Sequence, residues 1–202
     1  MKSIDAPQNA RSQRTRDALL AATREILESD GFEALSMAAV ADRAGVTRRA
    51  VYLHFTSRAD LVNALFTYLS QQEGLAESMS RVWEAPDSVA ALRAWVAHLA
   101  DYHPRLMAVD RAIERVRLGD ADAQRHRDRV NEAQISGCRR VVEWLHRDGR
   151  LAEGWTVEDA ADFLFGLICT ELFDRWMQMR HLSARDVERN LWAICRVVLV
   201  PE

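Results

Sequence analysis

The chain has 202 residues, of which 49% are hydrophobic and 28% charged, and its formal net charge is −3. This composition excludes a disordered or fibrous protein, and the slightly acidic total excludes a general attraction to nucleic acid. Residues 1–60 nevertheless carry nine Lys and Arg against eight Asp and Glu, so basic groups are enriched in the first part of the chain. No run of 18 apolar residues occurs, which predicts no membrane span and a cytoplasmic protein.

Almost every segment has apolar residues at helical spacing, and none alternates as a strand does. The sequence therefore predicts an all-α protein of about nine helices. The first helix is expected from about Ser12 to Ser29, where Gly31 follows at a position suited to a left-handed residue. Ser36 predicts the cap of a short second helix, Gly45 its end, and Thr47 the cap of a third.

The spacing of Ser57 and Asp60 is that of a capping box and predicts the start of a fourth helix. The later helices are expected near 87–102, 104–118, 121–147, 157–180 and 184–199, with Pro104 as a break. Three cysteines at wide spacings, Cys138, Cys169 and Cys195, indicate buried thiols rather than a disulfide framework or a zinc site.

The second and third helices have the layout of a helix-turn-helix, with Gly45 in the turn. The inward positions are small or apolar: Val40, Ala44, Val46, Val51 and Phe55. Arg48, Arg49, Tyr52 and Leu53 fall on the opposite side. Arginine can bind guanine edges or phosphates, tyrosine can donate to phosphate, and leucine can contact a thymine methyl. The alternative is an ordinary solvated face, but the turn glycine, the two caps and the apolar backing favour DNA binding.

The span from about residue 14 to 66, centred on SMAAVADRAGVTRRAVYLHFTSRADLVNALF, resembles the N-terminal DNA-binding domain of the tetracycline-repressor (TetR) family of bacterial transcriptional regulators. The resemblance implies an N-terminal arm and helix-turn-helix domain in residues 1–60 and a helical effector-binding and dimerisation domain in residues 61–202. It also implies which residues bind DNA. Near phosphates it places Ser36, Thr47, Tyr52, His54 and Arg58, and near base edges Arg48, Arg49 and Ala50.

The sequence departs from the family pattern at three of these positions. The family commonly has Lys where Arg58 stands, and Arg58 keeps the positive charge. It often has Gly-Thr where Arg49 and Ala50 stand, so the operator sequence does not follow from the resemblance. The basic arm with Arg11, Arg14 and Arg16 is expected either to reach a neighbouring groove or backbone or to remain a solvated terminus.

The two C-terminal helices carry apolar stripes that are candidates for a four-helix interface in a homodimer. The candidate interface residues are Ala161, Leu164, Ile168, Leu172, Leu191, Ile194 and Val198. The alternative is ordinary core within one chain. A helix-turn-helix that reads two half-sites needs a dimer, which favours the interface.

A pocket for a small-molecule effector is expected among aromatic and polar residues of the C-terminal domain, since ligand pockets are mostly apolar with few polar groups. The candidates are Trp95, His98, Tyr102, Met107, Arg111, Cys138, Trp144, Phe163, Phe165 and Phe173, for each of which a place in the core is the alternative. His98, Asp101 and His103 do not share one helix face, so no metal site is predicted, and no cofactor either.

The sequence favours a transcriptional repressor that binds double-stranded operator DNA and responds to a small molecule. An enzyme is the competing hypothesis, but no nucleophile elbow, phosphate-binding loop or zinc-binding motif is present. A protein-binding adaptor is a third possibility. Neither alternative accounts for Arg48 and Arg49 exposed beside Tyr52.

Overall fold

The computed structural model describes residues 10–201, which form ten α-helices and no strand. In chain order they are α1 Ala10–Ser29, α2 Met37–Arg43, α3 Arg48–His54, α4 Arg58–Gln72, α5 Leu75–Trp83, α6 Ser88–Val116, α7 Ala121–Arg147, α8 Val157–Gly166, α9 Thr170–Phe173 and α10 Ala184–Leu199. A short 3-10 turn, Phe32–Ala34, follows α1, and a π-helical turn, Asp174–Met179, follows α9. The all-α prediction is confirmed.

The helices form two compact units. The first takes in Met1–Ser70 and Ala108–Asp128, and the second takes in Gln71–Met107 and Arg129–Glu202. The first unit is thus larger than the predicted 1–60 domain, because it also holds α4 and the adjoining ends of α6 and α7. The first nine residues of the predicted arm lie outside the described residues.

The first unit is built on the apolar stripe of α1, where Leu19, Ile26 and Leu27 are buried. The α1 helix ends before Gly31, whose φ of 86° lies in the left-handed region, and Phe32 then folds into the core. Such a residue after a helix is the expected C-terminal cap. The cap turns the chain back so that α2 packs on α1.

The predicted break at Pro104 is wrong, because α6 runs through it. A proline inside a helix removes one hydrogen bond and costs about 3 kcal/mol. The flanking turns bury Ala100, Leu106 and Met107. Burial of apolar side chains on both sides of Pro104 offsets that cost, since each fully buried large side chain contributes about 1.5–3 kcal/mol.

Two predicted helices are each divided in the structure. Gly74, with a φ of 72°, separates α4 from α5, whereas the fourth predicted helix runs on past Gln72 and no separate helix is predicted before residue 87. The predicted 157–180 helix ends at Gly166, after which the N–H of Ile168 donates to the carbonyl of Phe165 at 2.9 Å in a tighter turn. The chain then resumes as α9 and the π-helical turn.

The core of the second unit contains four residues that were predicted for the dimer interface. Ala161, Leu164, Ile168 and Leu191 are buried within the chain itself. They therefore cannot present a surface to another copy in this conformation, and the alternative of ordinary core is correct for them. Of the remaining candidates, Ile194 is exposed and Leu172 and Val198 are half-buried.

No helix in the described range has the length and apolar character that crossing a membrane would require. Cys138 and Cys195 are buried, and burial raises the pKa of each thiol to about 12. Cys169 is exposed, so the prediction of a buried thiol is wrong there. It lies in the turn between α8 and α9, where the predicted helix is interrupted.

Candidate nucleic-acid interface

The two short helices of the predicted motif are fixed at their N-termini by hydroxyl caps. Ser36 Oγ accepts from the Ala39 N–H at 3.1 Å at the start of α2, and Thr47 Oγ1 accepts from the Ala50 N–H at 3.2 Å at the start of α3. Each hydroxyl satisfies an N–H group that has no partner within its helix. Helices of seven residues need such caps, because few internal hydrogen bonds hold them.

The turn between α2 and α3 depends on Gly45. Its φ is 66°, and the next residue, Val46, donates its N–H to the carbonyl of Ala41 at 2.9 Å. This hydrogen bond joins residues five positions apart, with a left-handed glycine just before the donor. It ends α2 and reverses the chain. Only four residues therefore separate the end of α2 at Arg43 from the start of α3 at Arg48, as in a helix-turn-helix.

One side of the pair is buried in the first unit. Val40, Val51 and Phe55 are almost wholly inaccessible, and Ala44 and Val46 are half-buried. The sequence prediction of the inward side is thus correct. This packing holds α3 with its other side facing solvent.

The outward side of α3 carries Arg48, Arg49, Tyr52 and Leu53. Tyr52 is 44% exposed and Leu53 is 63% exposed, and the two are neighbours on this helix. The Arg48 guanidinium donates to the Tyr52 hydroxyl at 3.4 Å and lies 5.7 Å from its ring centroid. The helix contains no acidic residue. It therefore presents two cations, a phenol and an apolar side chain together, with Ala50 half-buried behind them.

His54 closes the C-terminus of α3 and is half-buried. Its carbonyl accepts from Arg16 Nη1 of α1 at 3.4 Å, and the Arg16 guanidinium lies 4.6 Å from the Phe55 ring centroid. A cation at a helix C-terminus is favourable, since the backbone dipole is negative there. Burial, and next the Arg16 charge, hold the pKa of His54 below its usual range. His54 is therefore a neutral hydrogen-bonding group at neutral pH.

Arg58, at the start of α4, is held by two carboxylates. Its Nη2 donates to Asp120 at 2.5 Å, and its Nε and Nη2 each lie 3.2 Å from Asp122 Oδ2. Its guanidinium also lies 4.8 Å from the centroid of the Phe32 ring. Burial raises the pKa of Asp120, but hydrogen bonds from the Ala123 N–H and from Arg58 hold it below its usual value. Asp120 is thus charged at neutral pH, and in this conformation Arg58 is engaged within the protein.

Ion pairs also fasten α2 to α1. Arg43, at the end of α2, pairs with Glu25 at 2.9 Å and Asp30 at 2.7 Å. The Arg43 hydrogen bond is the main cause of a lowered pKa at Asp30. Exposed pairs of this kind contribute little to stability, about 0–1 kcal/mol each. They join the end of α2 to the last turns of α1.

Four of the predicted effector residues lie in one aromatic cluster of the second unit. His98 lies beside Trp95, at 5.8 Å between ring centroids, and stacks on Tyr102 at 5.1 Å. His103 lies 6.0 Å from His98 and stacks on Phe173 at 5.8 Å. The structure therefore brings Trp95, His98, Tyr102 and Phe173 together.

His98 is the polar centre of this cluster. Its Nδ1 shares a hydrogen bond of 2.9 Å with Ser78 Oγ, and burial lowers its pKa to about 4 although Asp101 opposes the shift. A cavity of about 350 Å³ reaches His98 and Ser78 and is otherwise lined largely by alanines and by exposed charged residues. A neutral imidazole at the wall of a cavity can donate or accept a hydrogen bond from a ligand.

The other predicted effector residues are more scattered. Met107 and Cys138 are buried, and Trp144, Phe163 and Phe165 are half-buried at the edge of the same core. Phe163 contacts Trp155 rather than the His98 cluster, at 5.4 Å between centroids. Arg111 belongs to the first unit. Within residues 10–201, no three His, Cys, Asp or Glu side chains are grouped as a metal site would need.

Three residues of the DNA-binding unit were not predicted from sequence. Arg16 was considered only as part of a basic arm, whereas it contacts the end of α3. Asp120 and Asp122 were not considered, because nothing in the local sequence indicates that the turn after Gly119 meets the start of α4. The Asp-x-Asp spacing after a glycine was the one available signal, and it is typical of many helix starts.

Comparison with known proteins gives the same location for the motif. Residues 19–65 match the family model described as bacterial regulatory proteins, tetR family. The transcriptional regulator TtgR of Pseudomonas putida is 33% identical over 81 residues, which cover 40% of this chain and 37% of TtgR. The chain thus aligns with well under half of this relative's length.

Solved structures extend the similarity to most of the chain. NalD of Pseudomonas aeruginosa, the secondary repressor of a multidrug efflux pump, is 25% identical with a TM-score of 0.69, covering 95% of this chain and 99% of NalD. A transcriptional regulator from Saccharomonospora viridis in complex with choline is 11% identical with a TM-score of 0.72, covering 94% and 100%. This second likeness shows the fold alone.

The family match covers the capped helix-turn-helix, whose α3 has no acidic residue, and the likeness to solved structures covers most of the chain. Residues 19–65 are therefore similar to the helix-turn-helix domain of bacterial regulatory proteins of the tetR family, and the whole chain is similar in fold to solved regulators of that kind.

Proposed function

We propose that this protein is a homodimeric repressor that binds a palindromic operator and releases it when a small molecule binds the second unit. The observation that carries the proposal is the outward side of α3, which combines two arginines, an exposed tyrosine and an exposed leucine with no acidic residue. Such a face matches the phosphates, base edges and thymine methyls of a major groove. Because it acts on chromosomal DNA, we place the protein in the bacterial cytoplasm.

The proposed DNA contacts are of two kinds: some read the base sequence, and others fix the position of the protein on the DNA. Arg48 and Arg49, with Ala50 and Leu53 beside them, would contact base edges. The hydroxyls of Ser36, Thr47 and Tyr52 and the ring of His54 would contact phosphates, which fix the register of a protein on DNA without reading sequence. Arg58 would join them only after exchanging Asp120 and Asp122 for a phosphate.

Dimerisation is supported by exposed apolar side chains on α10. Ile194 and Val197 lie three residues apart on one helix face, and Val197 is 82% exposed. Leu172 and Val198 are half-buried and can be covered further. A palindromic operator and two recognition helices imply a two-fold symmetric dimer.

The effector site we propose is the cavity beside His98. Its wall combines alanine side chains, the Ser78 hydroxyl and a neutral imidazole that stacks on the Tyr102 ring, with charged side chains also in the lining. A few polar groups that orient a ligand beside apolar walls are typical of ligand pockets. The choline complex of the regulator from Saccharomonospora viridis supports small-molecule binding by this fold. A ligand that binds the DNA-free conformation more tightly than the DNA-bound one lowers the affinity for the operator. The loss equals the ratio of the ligand's two affinities and is typically about 5- to 150-fold.

The experiment that tests the proposal is binding-site selection from random duplex DNA with the purified protein at two salt concentrations. We expect a palindrome to be enriched and the affinity to fall steeply with salt, as phosphate contacts require. A folded, dimeric protein that enriches no sequence, or that binds the enriched and random duplexes equally, would contradict the proposal.

A further inference from the structure

A second cavity, of about 690 Å³, lies at the N-terminus of α6 and is lined by residues of the second unit alone. Its walls include Ser88, Val89, Arg93, Arg150 and Trp192. It shares no lining residue with the cavity beside His98. The volume is in the range of small-molecule sites, which is about 300–1,000 Å³.

Ser88 contributes an unsatisfied polar group to this cavity. The residue is wholly buried, and its Oγ has no hydrogen-bond partner among the residues that the structure describes. A buried hydroxyl without a partner destabilises the fold, because it has lost its hydrogen bonds to water. A polar atom of a ligand in the cavity would remove this destabilisation.

Two arginines at the cavity have no carboxylate partner in the described part of the chain. The Arg93 guanidinium lies 5.1 Å from the centroid of the Trp192 ring, which holds it in place by a cation–π contact. Arg150 follows the C-terminal turn of α7 and is exposed. Arginine presents a planar fork of donors that matches a carboxylate.

Two aspartates also line the cavity, but both accept hydrogen bonds from the first turn of α6. Asp87 Oδ1 accepts from the Ala90 N–H at 2.8 Å, and Asp148 Oδ2 accepts from the Ser88 N–H at 3.2 Å. They offset the positive end of a 29-residue helix. The aspartates are acceptors only, so the two arginines are the charged groups of the lining that can donate to a ligand.

We propose that this cavity is a second ligand site, which binds an organic monocarboxylate with an apolar body. The carboxylate accepts from Arg93 and Arg150, the Ser88 hydroxyl donates to it, and the apolar body contacts Val89 and the Trp192 ring. The site does not depend on the proposed operator binding or on the cavity beside His98, so it can be tested without DNA.

The probe for the test is 4-fluorobenzoate, observed by ¹⁹F NMR as the full-length protein is titrated in. We expect saturable binding at least about tenfold tighter than that of 4-fluorobenzamide, which has the same shape without the charge. Arg93→Gln should weaken 4-fluorobenzoate binding about tenfold or more, and Ser88→Ala about two- to tenfold.

The matched control is Arg139→Gln, which removes an exposed arginine of α7 outside the cavity. It should leave the affinity for 4-fluorobenzoate unchanged, and circular dichroism should show that all three variants are folded. Equal affinity for the benzoate and the benzamide would overturn the proposal. So would unchanged binding by folded Arg93→Gln, or no saturation below about 10 mM.

Discussion

Arg58 Nη2 donates to Asp120 Oδ2 at 2.5 Å, so the start of α4 is bound to the turn between α6 and α7 within the first unit. The family resemblance implies that the same arginine binds a DNA phosphate. One guanidinium cannot satisfy both sets of partners fully. The two aspartates are therefore expected to compete with DNA for Arg58.

We predict that Asp120→Asn with Asp122→Asn raises affinity for operator and random duplex alike, by about threefold to tenfold. The reason is that a phosphate then gains a charged partner without first displacing two carboxylates. Affinities measured by fluorescence anisotropy at fixed salt check the prediction. The gain should disappear in an Arg58→Ala background.

Removing any negative charge strengthens attraction to DNA somewhat, so a matched acid is needed. Asp128→Asn serves this purpose, because Asp128 is exposed in the same unit and accepts from Gln124 rather than from an arginine. If Asp128→Asn raises the affinity as much as the double change at Asp120 and Asp122 does, general charge rather than Arg58 accounts for the effect.

The division of α3 into reading and positioning residues predicts two different results. Arg49→Ala should weaken binding to the selected operator by about 5- to 150-fold while leaving random duplex much less affected, because a bidentate base contact is worth about 1–3 kcal/mol of discrimination. Tyr52→Phe should weaken both about two- to tenfold. Parallel titrations measure the ratio of operator affinity to random-duplex affinity for each variant. If Arg49→Ala weakens binding to both duplexes equally, as Tyr52→Phe is expected to, the assignment of roles is contradicted.

Gly137 should be intolerant of a side chain. A Cβ there would lie 2.4 Å from Trp95 Cη2, a buried ring atom that cannot move away easily. Gly137→Ala is therefore expected to lower the free energy of unfolding by about 1–3 kcal/mol through overpacking. Gly166→Ala is the matched control, since nothing lies within 4 Å of its added Cβ. Thermal unfolding of the two variants beside the unchanged protein should show a loss for Gly137→Ala alone.

His98 should make stability depend on pH in the acid range. Its pKa is about 4 in the folded chain, against 6.5 for an unperturbed histidine, because burial disfavours the charged imidazole. Between these values the unfolded chain binds more protons, so the stabilisation is complete above about pH 6.5 and is lost as pH falls towards 4. The total is about 3 kcal/mol.

The measurement is an NMR titration of the His98 ring together with unfolding of His98→Gln at pH 7 and pH 5. The variant should lose less stability on acidification than the unchanged protein. A His98 resonance that titrates near 6.5 would show that the ring is more hydrated than its burial implies.

Local signals in the sequence were sufficient for the DNA-binding motif. Ser36, Gly45 and Thr47 act through hydrogen bonds and φ angles that span only a few residues, so their positions predicted α2, the turn and α3 correctly. The capping box of Ser183 and Asp186 likewise marks the start of α10.

Features that depend on tertiary packing were predicted less well. Burial on both sides of Pro104 keeps α6 continuous, although the local cost favours a break. The apolar stripes of α8 and α10 predicted a dimer interface, whereas Ala161, Leu164 and Leu191 are buried in the chain's own core. Periodicity cannot distinguish a chain's own core from a partner's surface. The contact of Arg58 with Asp120 joins residues 62 positions apart, which no local pattern specifies.

The helix proposed to enter the major groove, α3, has only seven residues. A segment of that length has little helical structure on its own. Its shape therefore exists only while the first unit is folded, and every residue that stabilises this unit contributes to DNA affinity. Substitutions at buried positions such as Val51 or Phe55 would abolish regulation without touching DNA. The highest temperature at which the operator stays occupied would therefore be the temperature at which this unit unfolds, however strong the DNA contacts are.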